Sequence, residues 1–173
     1  MKVSNAMRAD VSQLFWPVTV AAIVVGADRI LKQLTPMLLE RGTAWPGEDW
    51  PLRIVHVINT GAAFGTLKGQ TDLLTIVSAL GIILFSYLLF RSQSGTTHRL
   101  GLSLALGGAT ANFIDRASSG EVIDSIKVDY WPAFNLADVA LTVGIGLMVW
   151  SVMPDHDPEH EREVERLEGR GDR

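Results

Sequence analysis

Hydrophobic residues in this chain are gathered into four long blocks that polar, turn-rich segments separate. The clearest block, Leu73 to Phe90, contains eighteen residues without a formal charge. As a helix it would be about 27 Å long, close to the roughly 30 Å hydrocarbon core of a bilayer. Shorter blocks run from Val11 to Ala27, from Leu100 to Ile114 and from Val139 to Met153. The pattern predicts four transmembrane helices, near residues 11–34, 71–90, 100–116 and 135–153.

The first block has a second interpretation as a cleaved signal peptide. Val25-Gly26-Ala27 has the small residues of a cleavage site, but the apolar run before it is longer than a usual signal h-region. We therefore favour an uncleaved first span and keep processing as the alternative.

The segment between the first two spans, residues 35–72, is predicted to be extended and turn-rich. Within it, Leu52 to Ile58 is rich in branched apolar residues and reads as a short strand. Asn59 to Gly65 then reads as a turn. The expected breakers are Pro36, Gly42, Pro46, Gly47 and Pro51. The predicted fold class is an all-α membrane protein of four helices with a small β-containing lobe outside the membrane.

Positive charge predicts the orientation of the spans. The connector from Arg91 to Arg99 carries two arginines and no acid, and Lys2 and Arg8 precede the first span. Such segments stay in the cytoplasm, so both termini are expected inside and residues 35–72 and 116–132 outside. Interfacial aromatic residues are common at membrane boundaries, and these outward segments contain Trp45, Trp50, Tyr130 and Trp131.

Composition changes this picture only a little. The chain is 47% hydrophobic with a net charge of −4, and its last twenty residues, which contain 8 acidic and 4 basic residues, account for that charge. Residues 1–153 are thus expected to form the membrane domain and residues 154–173 a polar cytoplasmic tail. No basic face suggests a nucleic-acid partner. The chain has no cysteine, which excludes thiolate and zinc–thiolate chemistry. His156 and His160 stand four residues apart, but in the tail, where a solvated face is the favoured interpretation.

Polar residues collect where the third span ends and the fourth begins. Asn112, Asp115 and Arg116 are spaced i, i+3, i+4, and Asn135 and Asp138 are spaced i, i+3. Each set should lie on one helical face. Charged groups at a membrane boundary are costly and usually functional.

A third carboxylate, Asp124, lies in the loop that joins these two spans. Two close carboxylates cannot both ionise easily, so they share a proton and serve as acid and base towards water. Hydrolysis of a peptide bond is the reaction that this set favours, with no metal or cofactor.

Structural interpretations of the same residues remain open. Asp115 and Arg116 would more often form a local ion pair at a helix end. Asp28 and Lys32, at i, i+4, could be a snorkelled pair that supports the first span. Asn59 could serve only the turn.

Asp124 and Asp138 have ordinary interpretations too. Asp124 could be a plain loop carboxylate like Asp129, and Asp138 could cap a helix that Asn135 already caps. Buried carboxylates also form proton relays, so a proton-coupled transporter or channel is a rival function.

Four blocks of this sequence resemble the prolipoprotein signal peptidases, or signal peptidase II, which are bacterial inner-membrane aspartic proteases. The matching blocks occur in the family's order and cover roughly Val18 to Met153. They are Ala27-Asp28-Arg29-Ile30-Leu31-Lys32; Asn59-Thr60-Gly61-Ala62-Ala63-Phe64-Gly65; Gly107-Gly108-Ala109 with Asn112, Asp115-Arg116, Gly120, Val122 and Asp124; and Phe134-Asn135-Leu136-Ala137-Asp138.

The resemblance implies roles for individual residues. Asp124 and Asp138 fall on the catalytic aspartates. The polar residues implied to line and orient the site are Asn112, Arg116 and Asn135. The residues implied to support the pocket, or to contact lipidated substrate or peptide-like inhibitors such as globomycin, are Asp28, Lys32, Asn59, Gly61 and Phe64.

The family's activity is likewise implied. Its members remove the signal peptide from a lipoprotein precursor just before a diacylglyceryl-modified cysteine, at the outer face of the membrane, without a metal or cofactor. Three positions depart from the family pattern: Ala111 where Gly is usual, Ser125 where Phe is usual, and Val139 where Ser is common. These departures keep open a non-catalytic relative that binds lipopeptides.

Overall fold

Four helices and a small sheet make up the part of the chain that the computed structural model describes, residues 2–47, 49–61, 69–92 and 94–153, with side chains from residue 15 onward. The helices are α1 (Lys2–Leu38), α2 (Thr71–Arg91), α3 (Thr96–Ser119) and α4 (Leu136–Ser151). The strands are β1 (Ala44–Trp45), β2 (Leu52–Asn59) and β3 (Val122–Val128). The tail histidines His156 and His160 lie outside the described residues.

Helix α1 continues past the point where the sequence predicts that it ends. Pro36, expected to be a breaker, lies inside the helix, which ends at Leu38. The Thr35 hydroxyl donates to the carbonyl of Leu31 at 2.8 Å, and the N–H of Leu39 donates to the carbonyl of Thr35 at 2.9 Å. This last turn also packs against the sheet, and such packing offsets the cost of a single proline, which is about 3 kcal/mol in a helix interior.

Helix α3 is the centre of the bundle and contacts each of the other three helices. Its glycines permit this close approach. A Cβ atom on Gly144 of α4 would lie 2.6 Å from the carbonyl oxygen of Gly101. A Cβ atom on Gly107 would lie 2.8 Å from the carbonyl oxygen of Ala21 in α1. The polar residues at the end of α3 are therefore brought close to both α1 and α4.

The sheet joins two segments that are far apart in the sequence. Its strand order is β1-β2-β3, antiparallel throughout. The predicted strand is confirmed as β2, and Asn59 and Val57 pair with Val122 and Asp124 of β3. The prediction that Asp124 lies in a loop was wrong. Strand β3 forms because β2, more than sixty residues earlier, supplies its hydrogen-bonding partners, which local sequence does not reveal.

The helices differ in the two properties that a membrane span requires, length and apolar composition. Among the described residues, Thr71–Arg91 is long and apolar enough to span a bilayer, and Leu136–Ser151 is apolar but shorter. Large apolar side chains on α2 are exposed, among them Ile76, Leu80 and Ile83. The aromatic side chains expected at an interface, Trp45, Trp50, Tyr130 and Trp131, are also exposed. The prediction of four spans stays a prediction.

Candidate active site

Asp138 is held by the first turn of α4. Asn135 is the N-cap residue of this helix, and its side-chain oxygen accepts a hydrogen bond from the N–H of Asp138 at 2.9 Å. In return the Asp138 carboxylate accepts from the N–H of Asn135 at 3.3 Å. This reciprocal arrangement is a capping box. Asn135 thus caps α4 as the sequence suggests, and Asp138 also takes part in the cap through the N–H of Asn135.

Asp124 approaches the same point from strand β3. Its Oδ1 accepts a hydrogen bond from Asn135 Nδ2 at 3.1 Å, and its Oδ2 accepts from Asn59 Nδ2 at 2.9 Å. Asn59 is oriented by its own turn, because its side-chain oxygen accepts from the N–H of Gly61 at 2.9 Å. The Asn135 side chain therefore bridges the two aspartates, donating to Asp124 and accepting from the backbone of Asp138.

Helix α3 supplies the remaining polar groups of the site. Asn112 Nδ2 donates to Asp138 Oδ1 at 2.7 Å. Arg116 lies one turn further along, where Nη1 is 3.4 Å from both Ser78 Oγ and the carbonyl oxygen of Asn112. Each oxygen of the two carboxylates thus accepts at least one hydrogen bond from an amide group, which fixes the orientation of both.

Both carboxylates border a cavity of about 270 Å³. Its lining combines the polar residues described above with aromatic and apolar ones: Asn59, Gly61, Arg116, Val122, Asp124, Trp131, Pro132, Ala133, Phe134, Asn135, Asp138, Leu141 and Thr142. A second cavity of about 240 Å³, mostly apolar, adjoins Asp138 and is lined by Trp131, Phe134, Asp138, Val139, Thr142 and Val143. The site therefore contains two carboxylates with a mostly apolar cavity beside one of them, Asp138.

Asp124 is almost fully buried, with 1% of its surface exposed. Burial raises the pKa of its carboxyl group from 3.8 to about 6; the charge of Asp138 adds to this, and the hydrogen bonds from Asn59 and Asn135 oppose it. A buried carboxyl near a second carboxylate retains a proton more readily than an exposed one. Asp124 is thus disposed to hold a proton that an ordinary aspartate would release.

Asp28 and Lys32 lie behind this cavity and do not line it. Lys32 Nζ is 2.6 Å from Asp28 Oδ2 and 2.5 Å from Asp115 Oδ2. Asp28 Oδ1 accepts a hydrogen bond from the N–H of Ala137, the residue before Asp138, at 2.9 Å. The expected i, i+4 pair is present, but it is buried and shared among three helices, so the snorkelled interpretation was wrong.

Asp115 belongs to this buried cluster. Its ion pairs within the described residues are with Lys32 and with Arg29, whose Nη1 is 2.7 Å from Asp115 Oδ1. The prediction of a local pair with Arg116 was wrong, because α1 packs against the side of α3 that carries Asp115. Asn112 and Arg116 contact residues of α4 and α2 instead.

Several residues of the site escaped sequence reasoning. Thr142 lines both cavities, and its i+4 spacing from Asp138 could have identified it. Arg29 could have been found as the neighbour of Asp28. Phe64 lies outside the described residues, so its expected place in the pocket is not described.

The three residues that depart from the family pattern lie at or near the site. Ala111 is fully buried and Ser125 is 1% exposed, whereas Val139 lines the apolar cavity beside Asp138. None of them removes a polar contact of either aspartate.

Two carboxylates held by asparagine side chains at one end of a helical bundle, one of them inclined to hold a proton, are the arrangement that an aspartic-type hydrolase requires. The described residues contain no group of three or more His, Asp or Glu side chains placed to hold a metal ion. Carboxylate pairs also occur in proton relays, so comparison with known proteins decides between these classes.

The family model for signal peptidase (SPase) II matches residues 20–154. The chain therefore belongs to the signal peptidase II family, and it is a peptidase. A lipoprotein signal peptidase of Shouchella clausii is 38% identical over 136 residues, covering 78% of this chain and 90% of the relative. One of Dehalococcoides mccartyi is 41% identical over 138 residues, covering 77% and 84%.

Solved structures agree with this assignment. One structure of a bacterial membrane enzyme is 30% identical, with a TM-score of 0.72, and the match covers 79% of this chain and 86% of that one. A second has a TM-score of 0.70 at 30% identity, covering 80% and 93%. Family and neighbours together identify a membrane protein and favour a peptidase over a proton-coupled transporter.

Proposed function

We propose that this protein removes the signal peptide from diacylglyceryl-modified bacterial prolipoproteins, cleaving just before the lipidated cysteine, with Asp124 and Asp138 as its catalytic pair. The observation that carries the proposal is the Asn135 side chain, which bridges the two aspartates at the edge of one cavity. Relatives over most of the chain are lipoprotein signal peptidases.

The proposed reaction is acid–base hydrolysis without a cofactor. Asp124, whose pKa burial raises to about 6, holds the shared proton and donates it to the oxygen of the scissile carbonyl. Asp138 takes a proton from water as the water oxygen attacks the carbonyl carbon. Collapse of the tetrahedral intermediate breaks the C–N bond, and the proton on Asp138 passes to the leaving amine. A hydroxyl proton of the intermediate returns to Asp124 as the carbonyl group of the product acid forms, which restores the starting state of the pair.

The amide side chains around the pair orient it. Asn59 and Asn135 donate to Asp124, and Asn112 donates to Asp138. Arg116 lines the same cavity and supplies a positive charge that limits repulsion between the carboxylates and the substrate carbonyl oxygen as charge develops there.

The remaining predicted residues have supporting roles in this proposal. Asp28 fixes the first turn of α4 through Ala137, and Lys32 neutralises Asp28. Gly61 lines the cavity and holds Asn59 through its N–H. Phe64 is proposed to contact the lipidated substrate.

The cavities suit a substrate that is part peptide and part lipid. The larger one offers hydrogen-bonding groups around the aspartates, and the apolar one beside Asp138 offers a place for hydrocarbon. We expect the precursor, and peptide-like inhibitors such as globomycin, to occupy the larger cavity, while membrane lipid surrounds the helices.

The proposed location is the bacterial inner membrane, with four spans, both termini in the cytoplasm and the aspartates at the outer face. The sheet supports this arrangement, because it gathers the α1–α2 and α3–α4 connections at one end of the bundle. The connector from Arg91 to Arg99, with its two arginines, lies between α2 and α3.

The direct test is cleavage of a diacylglyceryl-modified precursor peptide by the purified protein in detergent. We expect wild-type protein to release the signal peptide, and Asp124→Asn and Asp138→Asn to reduce kcat by at least about a thousandfold, because an aspartic pair fails when either member is lost. Asp129→Asn is the matched control, since Asp129 directly follows the strand that carries Asp124 but pairs with Arg53 instead. It should cleave at nearly the wild-type rate.

Two results would overturn the proposal. Either aspartate variant retaining wild-type turnover would remove that residue from the mechanism. A folded wild-type protein that binds the precursor but never cleaves it would identify a non-catalytic lipopeptide-binding relative.

A further inference from the structure

A buried hydroxyl pair joins the outer end of α1 to the strand that carries Asp124. Thr35 Oγ1 and Ser125 Oγ are hydrogen-bonded at 2.8 Å across ninety residues of sequence. The two residues are 2% and 1% exposed. Ser125 directly follows Asp124, so the contact acts on the backbone next to a catalytic carboxylate.

The sheet is irregular at this point. Ile54 pairs with Ile126 and Val57 pairs with Asp124, so two residues of β2, Val55 and His56, lie opposite Ser125 alone. This is the two-against-one count of a β-bulge, a feature that re-aims side chains near active sites. The N–H of Ser125 donates to the carbonyl oxygen of Phe134 and not to β2. At the bulge, pairing with β2 therefore constrains the position of Ser125 less than it constrains a regular strand residue.

The same face of α1 also contacts the helix that carries Asp138. Asp28, Lys32 and Thr35 are spaced i, i+4, i+7 and share one helical face, over about 10 Å of axis. Asp28 accepts from the N–H of Ala137, next to Asp138, and Thr35 bonds Ser125, next to Asp124. One rigid helix thus holds a neighbour of each aspartate, although the aspartates come from a strand and a helix.

We propose that Thr35 and Ser125 form a positioning pair that keeps Asp124 at its reacting distance from Asp138. The inference rests on the proposed function, in which these aspartates act together. Without the hydroxyl bond, β3 keeps its backbone bonds to Phe134 but shifts more easily at its bulge. The acid then meets the substrate carbonyl in fewer productive geometries. A misplacement of this kind lowers the rate of the chemical step more than it lowers binding.

The test is a double-mutant cycle on precursor cleavage with Thr35→Val and Ser125→Ala. Each single variant should lower kcat roughly tenfold with KM within about twofold of wild type, because each loses the same buried hydrogen bond. The double variant should be no more than about twofold slower than the slower single variant, since the bond is lost only once. Thr35→Ser, which keeps the hydroxyl, should restore at least half of the wild-type kcat.

A pH profile separates positioning from general loss of structure. Asp124 faces Asn59 from β2, Arg116 from α3 and Asp138 from α4, and the charge of Lys32 from α1 also acts on it. A displaced Asp124 is less buried, so its pKa should fall towards the ordinary value. The fall in activity with rising pH should then begin at lower pH in both single variants.

Thr19→Val is the matched control. Thr19 makes the same kind of hydroxyl bond to a carbonyl four residues earlier in α1, but its side chain is exposed. It should leave kcat and the pH profile unchanged.

The outcomes distinguish this inference from the proposed function. Failure of wild-type protein to cleave would overturn both. Wild-type cleavage that depends on Asp124, with Ser125→Ala at wild-type kcat and pH profile, would overturn the positioning pair alone. So would additive losses in the double variant. If Thr35→Val does not fold, Ser125→Ala and Thr35→Ser decide the matter between them.

Discussion

At the scale of single residues, Asp124 is buried and lies near a second carboxylate. When its side chain is ionised, these two conditions destabilise the folded protein. The side chain is 1% exposed, and its pKa is raised from 3.8 to about 6. A shift of this size corresponds to about 3 kcal/mol when the group is fully ionised. Functional sites commonly hold such groups at the expense of stability.

We predict a pH-dependent stability difference between wild-type protein and Asp124→Asn. Well below pH 3.8 the carboxyl is protonated in both folded and unfolded states, so it makes no difference. As the pH rises from about 4 through about 6, the unfolded state releases the proton first, and wild type loses up to about 3 kcal/mol relative to the variant. Thermal unfolding in detergent from pH 4 to 8 measures this; an offset that is constant with pH would contradict it.

Asn135 has two separable functions, as a helix cap and as a donor to Asp124. Asn135→Ser keeps a capping oxygen but is too short to reach Asp124, whereas Asn135→Ala loses both. We expect both variants to lose most precursor cleavage, and Ala to be about 1 kcal/mol less stable than Ser. Unfolding midpoints alongside cleavage rates check this. If Ser retains wild-type cleavage, the bridge to Asp124 is not needed.

At the scale of elements, close packing of α3 and α4 determines where Asp138 lies relative to Asn112. Gly101 and Gly144 bring the two backbones together, and Gly108 gives the first turn of α4 room beside α3. Tight backbone approach through small residues is a common way for helices to associate in membranes. The Asn112–Asp138 hydrogen bond depends on this approach.

Gly144→Ala should destabilise the protein by about 1–3 kcal/mol, because its Cβ would lie 2.6 Å from the Gly101 carbonyl oxygen. Gly146→Ala is the matched control, two residues away on the same helix, where a Cβ meets nothing within 4 Å. It should change stability by less than about 1 kcal/mol. Denaturant-induced unfolding in micelles compares the two, and equal losses would argue against the close interface.

The elements also differ in how well local sequence predicts them. Helix α2 and strand β2 follow from an uncharged apolar run and a run of branched residues. Strand β3 was missed because its polar residues, among them Asp124 and Ser125, interrupt the apolar pattern and its partner strand is remote. The end of α1 was misplaced because tertiary contacts override the effect of Pro36.

At the scale of the whole molecule, the proposed orientation is open to a simple test, since the natural chain has no cysteine. Asp49→Cys places a single thiol in an exposed part of the sheet lobe, and Ser94→Cys places one in the exposed α2–α3 connector. In intact spheroplasts a membrane-impermeant maleimide should label Asp49→Cys only, and lysis should make Ser94→Cys reactive. Labelling of Ser94→Cys before lysis would reverse the proposed topology.

The sequence by itself determined which chemistry is available and roughly where the helices lie. Its apolar blocks predicted the helices and its missing cysteine excluded thiolate chemistry, because these are local properties. Its ordered polar motifs implied Asp124 and Asp138 as the catalytic pair through their resemblance to signal peptidase II. Only the tertiary structure decided the pairings. Asp115 binds Arg29 and Lys32 and not its neighbour, since α1 packs on that side of α3. Asn135 bridges the aspartates because an antiparallel strand and a helix cap meet there, a contact between elements that no spacing encodes.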